Sequence, residues 1–450
     1  MRDFKELAAK VVDITLKLGA SDCDVAITDT TYMSAEIEKG SMKQTSLVSD
    51  PGISIRAFWK GSQGFAVSTD TDMTSIKRAA GLAVSQAKAG TPDPEFKGLP
   101  GKSKPTEVAG LYDSRLVALQ PDDVVQLATR LAESAGSSKL ITSVNAVVGV
   151  GVGQAAIANC NGFVGSQMFT TFEMTAEAVA RSGSNMFSGS DGDWSRRFIP
   201  SLVDRVGSNA MEFGLKGLRH GKLKTGDYPV VLDPLAAGFI LISAIGGGAN
   251  AEGVQRKRTY LAGMLGKSIG SEAFTVVDDP KVKWAPGSYS FDGEGVPAKR
   301  KTIVDRGVLK AFLYDSYTAG KDSVESTGNS SRGGALWSFR QPPSISPSNL
   351  IVKTGDSSFD EMVSDTKAGV FLRVTYDYPN LSTGEFSGLM MESFEIVKGE
   401  LGPSIRQSTM GASLLELFSR IDLVGKKSRD AFGVRTPAIR ISKVRIGGSN

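Results

Sequence analysis

The stretch Tyr228-Pro229-Val230-Val231-Leu232-Asp233-Pro234-Leu235-Ala236-Ala237-Gly238-Phe239-Ile240-Leu241-Ile242-Ser243-Ala244-Ile245-Gly246-Gly247-Gly248 decides what kind of fold this chain takes. Pro229 to Leu232 reads as a short strand. From Pro234 to Ala251 the chain runs 18 residues without a charge, which raises the question of a membrane span. Gly238, Gly246, Gly247 and Gly248, with Ser243 and Asn250, favour a buried helix running into a glycine turn.

Outward from this centre the chain divides into three blocks. Residues 222–450 hold short strands separated by glycine, among them Thr275 to Val277, Thr302 to Asp305, Leu309 to Tyr314 and Gly369 to Tyr376. Residues 111–221 predict a helix over Asp122 to Ala135, a hairpin of Leu140 to Val150 with Val152 to Asn159, and a strand from Phe163 to Ala180. A polar break over Ser182 to Ser195 follows, then a helix over Phe198 to Leu218. Residues 1–110 predict a helix over 4–18 stopped by Gly19, and strands over Cys23 to Thr28 and Tyr32 to Glu38. A hairpin around Lys60 to Gly64 and a helix capped by Asp70 or Asp72 complete that block. Helix, strands, helix recurs in the first two blocks and glycine-separated short strands dominate the third, so the fold class expected is α+β.

Composition excludes several function classes. In 450 residues, 52 basic side chains face 48 acidic ones, a balance that demands no nucleic-acid partner. Two cysteines, Cys23 and Cys160, exclude a disulfide scaffold and suit a reducing cytosol. The charged start Met1-Arg2-Asp3-Phe4-Lys5-Glu6 lacks the apolar core of a signal peptide. The single histidine, His220, reads as a solvated loop residue and leaves no partner for a serine triad.

Two nucleotide motifs fail on context. Gly151-Val152-Gly153-Gln154-Ala155-Ala156 has dinucleotide-turn spacing but is followed by strand residues, not by the helix that would receive a pyrophosphate. Leu265-Gly266-Lys267-Ser268 imitates a P-loop end, yet Leu261 stands where the first glycine is required. The acidic cluster Asp278-Asp279 with Asp292-Gly293-Glu294 fits no calcium loop and reads as capped turns. The basic residues Lys426, Lys427, Arg429, Arg435, Arg440, Lys443 and Arg445 alternate with acids and apolar residues and read as a solvated sheet face.

The order of several pieces resembles the TldD/PmbA family, also called modulators of DNA gyrase. They are Tyr228 to Pro234 with Gly238 to Gly248, Thr275 to Pro280, Gly287 to Pro297, Gly307-Val308-Leu309 and Ser326-Thr327-Gly328-Asn329. In the first block the matches are Glu38-Lys39-Gly40, Gly52 to Arg56, Gly64-Phe65-Ala66 and Thr91-Pro92-Asp93-Pro94. Catalytic members carry H-E-x-x-x-H on a helix and a late cysteine, which together hold zinc and leave one position open for water. The aligned segment here is Ile242-Ser243-Ala244-Ile245-Gly246-Gly247. Ile242 and Gly247 stand for the histidines and Ser243 for the glutamate, and no cysteine follows Cys160. The resemblance is therefore to the PmbA/TldE-like branch, which lacks the metal motif. The fold it implies is α+β, with an N-terminal α/β domain, a middle α+β domain and a larger β-rich C-terminal domain.

That resemblance implies a non-catalytic subunit with no cofactor of its own, zinc belonging to a TldD-type partner in a heterodimer that cleaves small or unfolded peptides. Its alternatives are a homodimeric peptide-binding protein without peptidase activity, or a peptidase with relocated chemistry at Ser243 or the acidic cluster. Gly328, Asn329, Gly333 and Gly334 are the expected peptide-binding lining. A cytoplasmic location is expected, with no nucleic acid and no membrane among the partners.

Overall fold

The computed structural model describes residues 3–335 and 337–448; Met1 and Arg2 of the charged N-terminal hexapeptide lie outside them. Helix α1 (Phe4–Lys17) is capped by Asp3, and α2 (Met73–Ala89) by Asp72, whose carboxylate accepts from Thr74 and Ser75. Between them run β1 (Asp22–Glu38), β2 (Ser41–Ser49), β3 (Gly52–Trp59) and β4 (Ser62–Ser68). Lys60 and Gly61 both take positive φ, 50° and 81°, so the β3–β4 turn is a two-residue one, tighter than the five-residue turn expected.

The middle region supplies a short α3 (Ser114–Val117), α4 (Pro121–Ala135), β5 (Ile141–Asn159), β6 (Val164–Ser182), β7 (Asn185–Ser195) and α5 (Ser201–Lys216). All seven strands form one sheet in the order β4-β3-β1-β5-β6-β7, with β2 beside β1. β1 and β5 pair from Asp24↔Asn159 to Ile37↔Ala146, so the first two sequence blocks share a continuous ladder across residue 110. The odd-numbered side chains of β1 serve two cores on one face. Cys23, Val25 and Ile27 meet α1 and α2; Met33, Ala35 and Ile37 meet α4.

Four local expectations are corrected. Gly149, Gly151 and Gly153 do not turn the chain but lie inside the single 19-residue strand β5. Strands on both sides hold that ladder, and Gly149 is small because a Cβ there would stand 2.1 Å from the Tyr32 hydroxyl. Asp29-Thr30-Thr31 likewise continues β1. The polar run 182–195 is not a break: Gly183 (φ 59°) turns and Asn185–Ser195 returns as β7. β2, which had no apolar signature, forms an edge guarded by a bulge at Lys43. Beyond residue 300, the strand expected over Leu309 to Tyr314 shrinks to Val308–Leu309.

The C-terminal region begins with β8 (His220–Gly221) and β9 (Gly226–Leu232), members of a 13-stranded sheet whose long central strand is Val434–Gly447. Helix α6 (Pro234–Leu241) packs Ala236, Ala237, Ile240 and Leu241 into that core. No helix among the described residues is long and apolar enough to cross a membrane. The face of the first sheet turned away from its helices rests on this region, with Phe163 and Phe169 against Tyr289, Phe291 and Trp337. Toward β7 the two bodies separate and leave a cleft.

Candidate functional site

The segment that opened the reading is one continuous helix with a change of pitch. Asp233 caps α6 by accepting from Leu235 N at 2.9 Å, and from Ile242 to Gly247 the helix widens into a π turn, with Gly248 N donating to Ser243 O at 3.1 Å. The Tyr260 hydroxyl donates to Ala244 O at 2.9 Å. Gly246 and Gly248 are packed so closely that a Cβ would stand 2.9 Å from Pro347 and 2.2 Å from Ala244 O. On a regular helix positions five apart point roughly 140° away from each other. A π turn, bonded i to i+5, brings them onto one face. Ile242 and Gly247 therefore occupy the spacing that suits two inward ligands. Neither carries a donor atom.

Ile242, Ser243 and Gly247 are half-buried on a helix whose other residues from Leu235 to Gly248 are buried. The Ile242 Cδ1 lies 3.7 Å from where a Cβ on Gly433 would stand, beneath the turn Phe432-Gly433. Leu381 covers Gly247. Among the described residues no group of three or more His, Cys, Asp or Glu is placed to hold a metal ion. The side chains at this helix do not fit a zinc ion.

A cleft of about 800 Å³ opens beside α6, between β7 and the edge of the second sheet. Its walls include Met186, Phe187, Trp194, Leu235, Tyr376, Leu389, Met391 and Phe432. Asp191 and Glu392 form its polar floor. Arg373, 1% exposed, holds Glu392 at 2.7 Å and Asp191 at 3.5 Å, while Arg429 holds Asp191 at 2.9 Å. Ser190 Oγ also donates to Glu392. Burial pushes the Glu392 and Asp233 carboxyls upward, against the pull of Arg373. Arg429, expected on a solvated face, is instead the bolt between β7 and the second sheet, whereas Arg435, Arg440 and Arg445 pair with Asp430, Asp422 and Asp227.

The other expected site residues lie elsewhere. Asn329 is 1% exposed, its amide given to Asp278 and Ser346 O and its oxygen taken by Lys301. Gly328 is buried, Gly333 is half-buried and Gly334 is open to solvent, so these four line no common groove. Asp278 accepts from Ser348 and pairs with Lys301 at 2.9 Å. Asp292 accepts three backbone amides, and Glu294 meets Arg56 at 2.7 Å. The acidic cluster is thus a buried junction, and the reading as capped turns captured only its backbone bonds. His220 is not a solvated loop residue either: its Nδ1 lies 2.7 Å from Ser404 Oγ, and burial with Arg406 nearby lowers its basicity. Ser404 is fully buried and donates to Gly217 O, so the pair presents no nucleophile. The cleft residues 186–194 escaped the sequence reading because the six residues from Ser188 to Asp193, between Phe187 and Trp194, carry no apolar side chain. The signal that marks them is period-two spacing behind a Ser-Gly-Ser-Asn turn.

Three family models match the chain in order: PmbA/TldA metallopeptidase domain 1 over residues 23–87, the central domain over 115–216 and the C-terminal domain over 225–448. A metalloprotease of Methanothermobacter thermautotrophicus is 26% identical over 99% of both chains. Metalloprotease MJ0996 of Methanocaldococcus jannaschii is 32% identical over 56% of each. Metalloprotease PmbA of Escherichia coli O157:H7 is 25% identical over 99% of this chain and 97% of its own. Among solved structures, TldE from Thermococcus kodakarensis superposes with a TM-score of 0.90 at 22% identity, covering 98% of this chain and 100% of that one.

Proposed function

This chain belongs to the PmbA/TldD family, and from that premise we propose that it is a non-catalytic, TldE/PmbA-like subunit of a cytosolic peptidase complex acting on small or unfolded peptides. The observation that carries the reading is the π turn of Ile242 to Gly247. The helix keeps the pitch that aligns two ligands five residues apart, while Ile242, Ser243 and Gly247 supply neither imidazole nor carboxylate. Zinc chemistry on this reading belongs to a TldD-type partner, and this chain contributes by excluding water and shaping the substrate path. The cleft supports the peptide half of the reading: it is open, mostly apolar and floored by a few fixed polar groups, as small-ligand sites are.

The test mixes the purified chain with a TldD-type subunit and an unstructured peptide. Cleavage is expected from the mixture and from neither protein alone, with less than one-tenth of an equivalent of zinc retained by this chain alone. Equal cleavage by the partner alone overturns the subunit reading. Chelator-resistant cleavage by this chain alone supports relocated chemistry, for which Ser243→Ala is the first variant.

A further inference from the structure

Strand β7 is the edge of the first sheet, and that edge faces the cleft. Arginines of the second body reveal which of its backbone groups turn outward. Arg406 donates to Met186 O, Arg373 to Ser190 O at 2.5 Å and Arg429 to Gly192 O at 2.5 Å. In a strand the N–H and C=O of one residue point the same way, so the amides of Met186, Ser188, Ser190 and Gly192 turn outward as well. Three of these four carbonyls are closed by guanidinium groups. Ser188 keeps both its carbonyl and its amide free of protein partners among the described residues.

Two further features mark the same place. The Thr375 hydroxyl, on a residue 1% exposed that lines the cleft, has no hydrogen-bond partner among the described residues. Glu177 lines the wall opposite Ser190 and diagonal to Ser188; Asn145 donates to it at 3.1 Å, and no basic side chain pairs with it among the described residues. The floor acids Asp191 and Glu392 are already neutralised by Arg373 and Arg429.

We propose that Ser188 is the rung at which a short extended peptide adds to β7, with apolar side chains lodged among Met186, Trp194, Leu389 and Met391 and a lysine or arginine reaching Glu177. This rests on the peptide-handling reading above and gives it a substrate class: short, extended, apolar and cationic. A ligand strand finds outward amides from Met186 to Ser190, a span of about 13 Å. It finds only one open carbonyl. The arginine caps therefore stop the added strand on either side, which fixes its register and its length. Acidic peptides meet Glu177 and are disfavoured.

The experiment measures fluorescence anisotropy of the full chain with two short fluorescein-labelled peptides, one of alternating leucine and lysine and one of alternating leucine and glutamate. The lysine peptide is expected to bind at least tenfold more tightly at low salt, and Glu177→Gln to erase that difference. Ser188→Pro removes the outward amide while leaving the inward ladder to β6, and is expected to weaken binding about tenfold. Should that variant not fold, N-methylating the peptide backbone and titrating the wild-type chain tests the same bonds. Unchanged affinity for the folded proline variant, or for the N-methylated peptide, overturns the proposal, as does equal binding of the two charges. Partner-dependent cleavage tests the subunit reading separately. If it persists while Ser188→Pro binds normally, the site falls and the subunit reading stands; if binding depends on Ser188 but the partner never needs this chain, the reverse holds.

Discussion

At the scale of single residues, buried arginines do the joining. Arg332 is fully buried and gives its guanidinium to Asp24 at 3.0 Å, Gly293 O at 2.8 Å and Ser54 at 3.3 Å. Arg56 links the same Asp24 to Glu294. Removing one partner of such a set leaves an uncompensated charge in the interior, a cost of about 3–5 kcal/mol. Arg332→Met is therefore expected to destabilise the chain by that amount in urea titrations, although the new side chain is apolar and similar in length. A loss under 1 kcal/mol would mean that water replaces the guanidinium. The identity of such residues was hard to read because Arg332 sits in a glycine-rich stretch, 308 positions from its carboxylate. By contrast, that Ile242, Ser243 and Gly247 carry neither imidazole nor carboxylate is stated by the sequence in place.

At the scale of elements, caps and pitch decide what the chain can present. Asp113 caps α3 by accepting from Arg115 N at 3.0 Å and also accepts from Phe198 N at 3.0 Å, tying α3 to the entry of α5. Arg115 and these backbone donors hold its carboxyl down at about 2. A carboxyl depressed by folding adds stability above its unfolded value near 4, and loses it as pH falls through about 2. Asp113→Ala is expected to cost about 1–2 kcal/mol at neutral pH and to flatten the fall in stability between pH 4 and 2. Denaturant titrations of both proteins across that range provide the check; parallel curves would dissociate the cap from the acid response. The cap of α2 was readable to within two candidates, Asp70 and Asp72, because capping is local; the structure takes Asp72. The π turn was not, since its pitch depends on Tyr260, Pro347 and Leu350 closing on the glycines.

At the scale of the whole molecule, the two sheets are joined at both ends of their contact, by packed rings at one and buried ion pairs at the other. Phe163 and Phe169 from the first sheet meet Phe291 and Trp337 from the C-terminal region, with ring centroids 5.2 Å apart for Phe163–Phe291 and 5.4 Å for Phe169–Trp337. The same junction carries the Asp24, Arg56, Glu294 and Arg332 charges, and the cleft floor adds Arg373 and Arg429 at the other end. Calorimetry of the wild-type chain is expected to show one unfolding transition. Phe291→Ala, a cost of about 3–5 kcal/mol at the contact, is expected to lower it and to broaden or split it. Two separate transitions in the wild type would show that the bodies unfold independently.

The sequence alone determined the α+β class, the family, a helix from residue 4, a helix after Asp70 or Asp72, a helix over Asp122 to Ala135 and a helix from Pro234. Each of these rests on local spacing, a cap or a motif read in order. Tertiary structure alone decided that β1 and β5 run unbroken through polar and glycine residues, because neighbouring strands on both sides hold their ladders. It also made 185–195 a strand, turned Arg429 inward and moved the candidate peptide site from Gly328 and Asn329 to the edge of β7. Those outcomes depend on backbone groups and charges meeting partners far away in the chain. An edge amide such as that of Ser188 has no signature in its own side chain; only the arrangement of Arg406, Arg373 and Arg429 around it leaves it open.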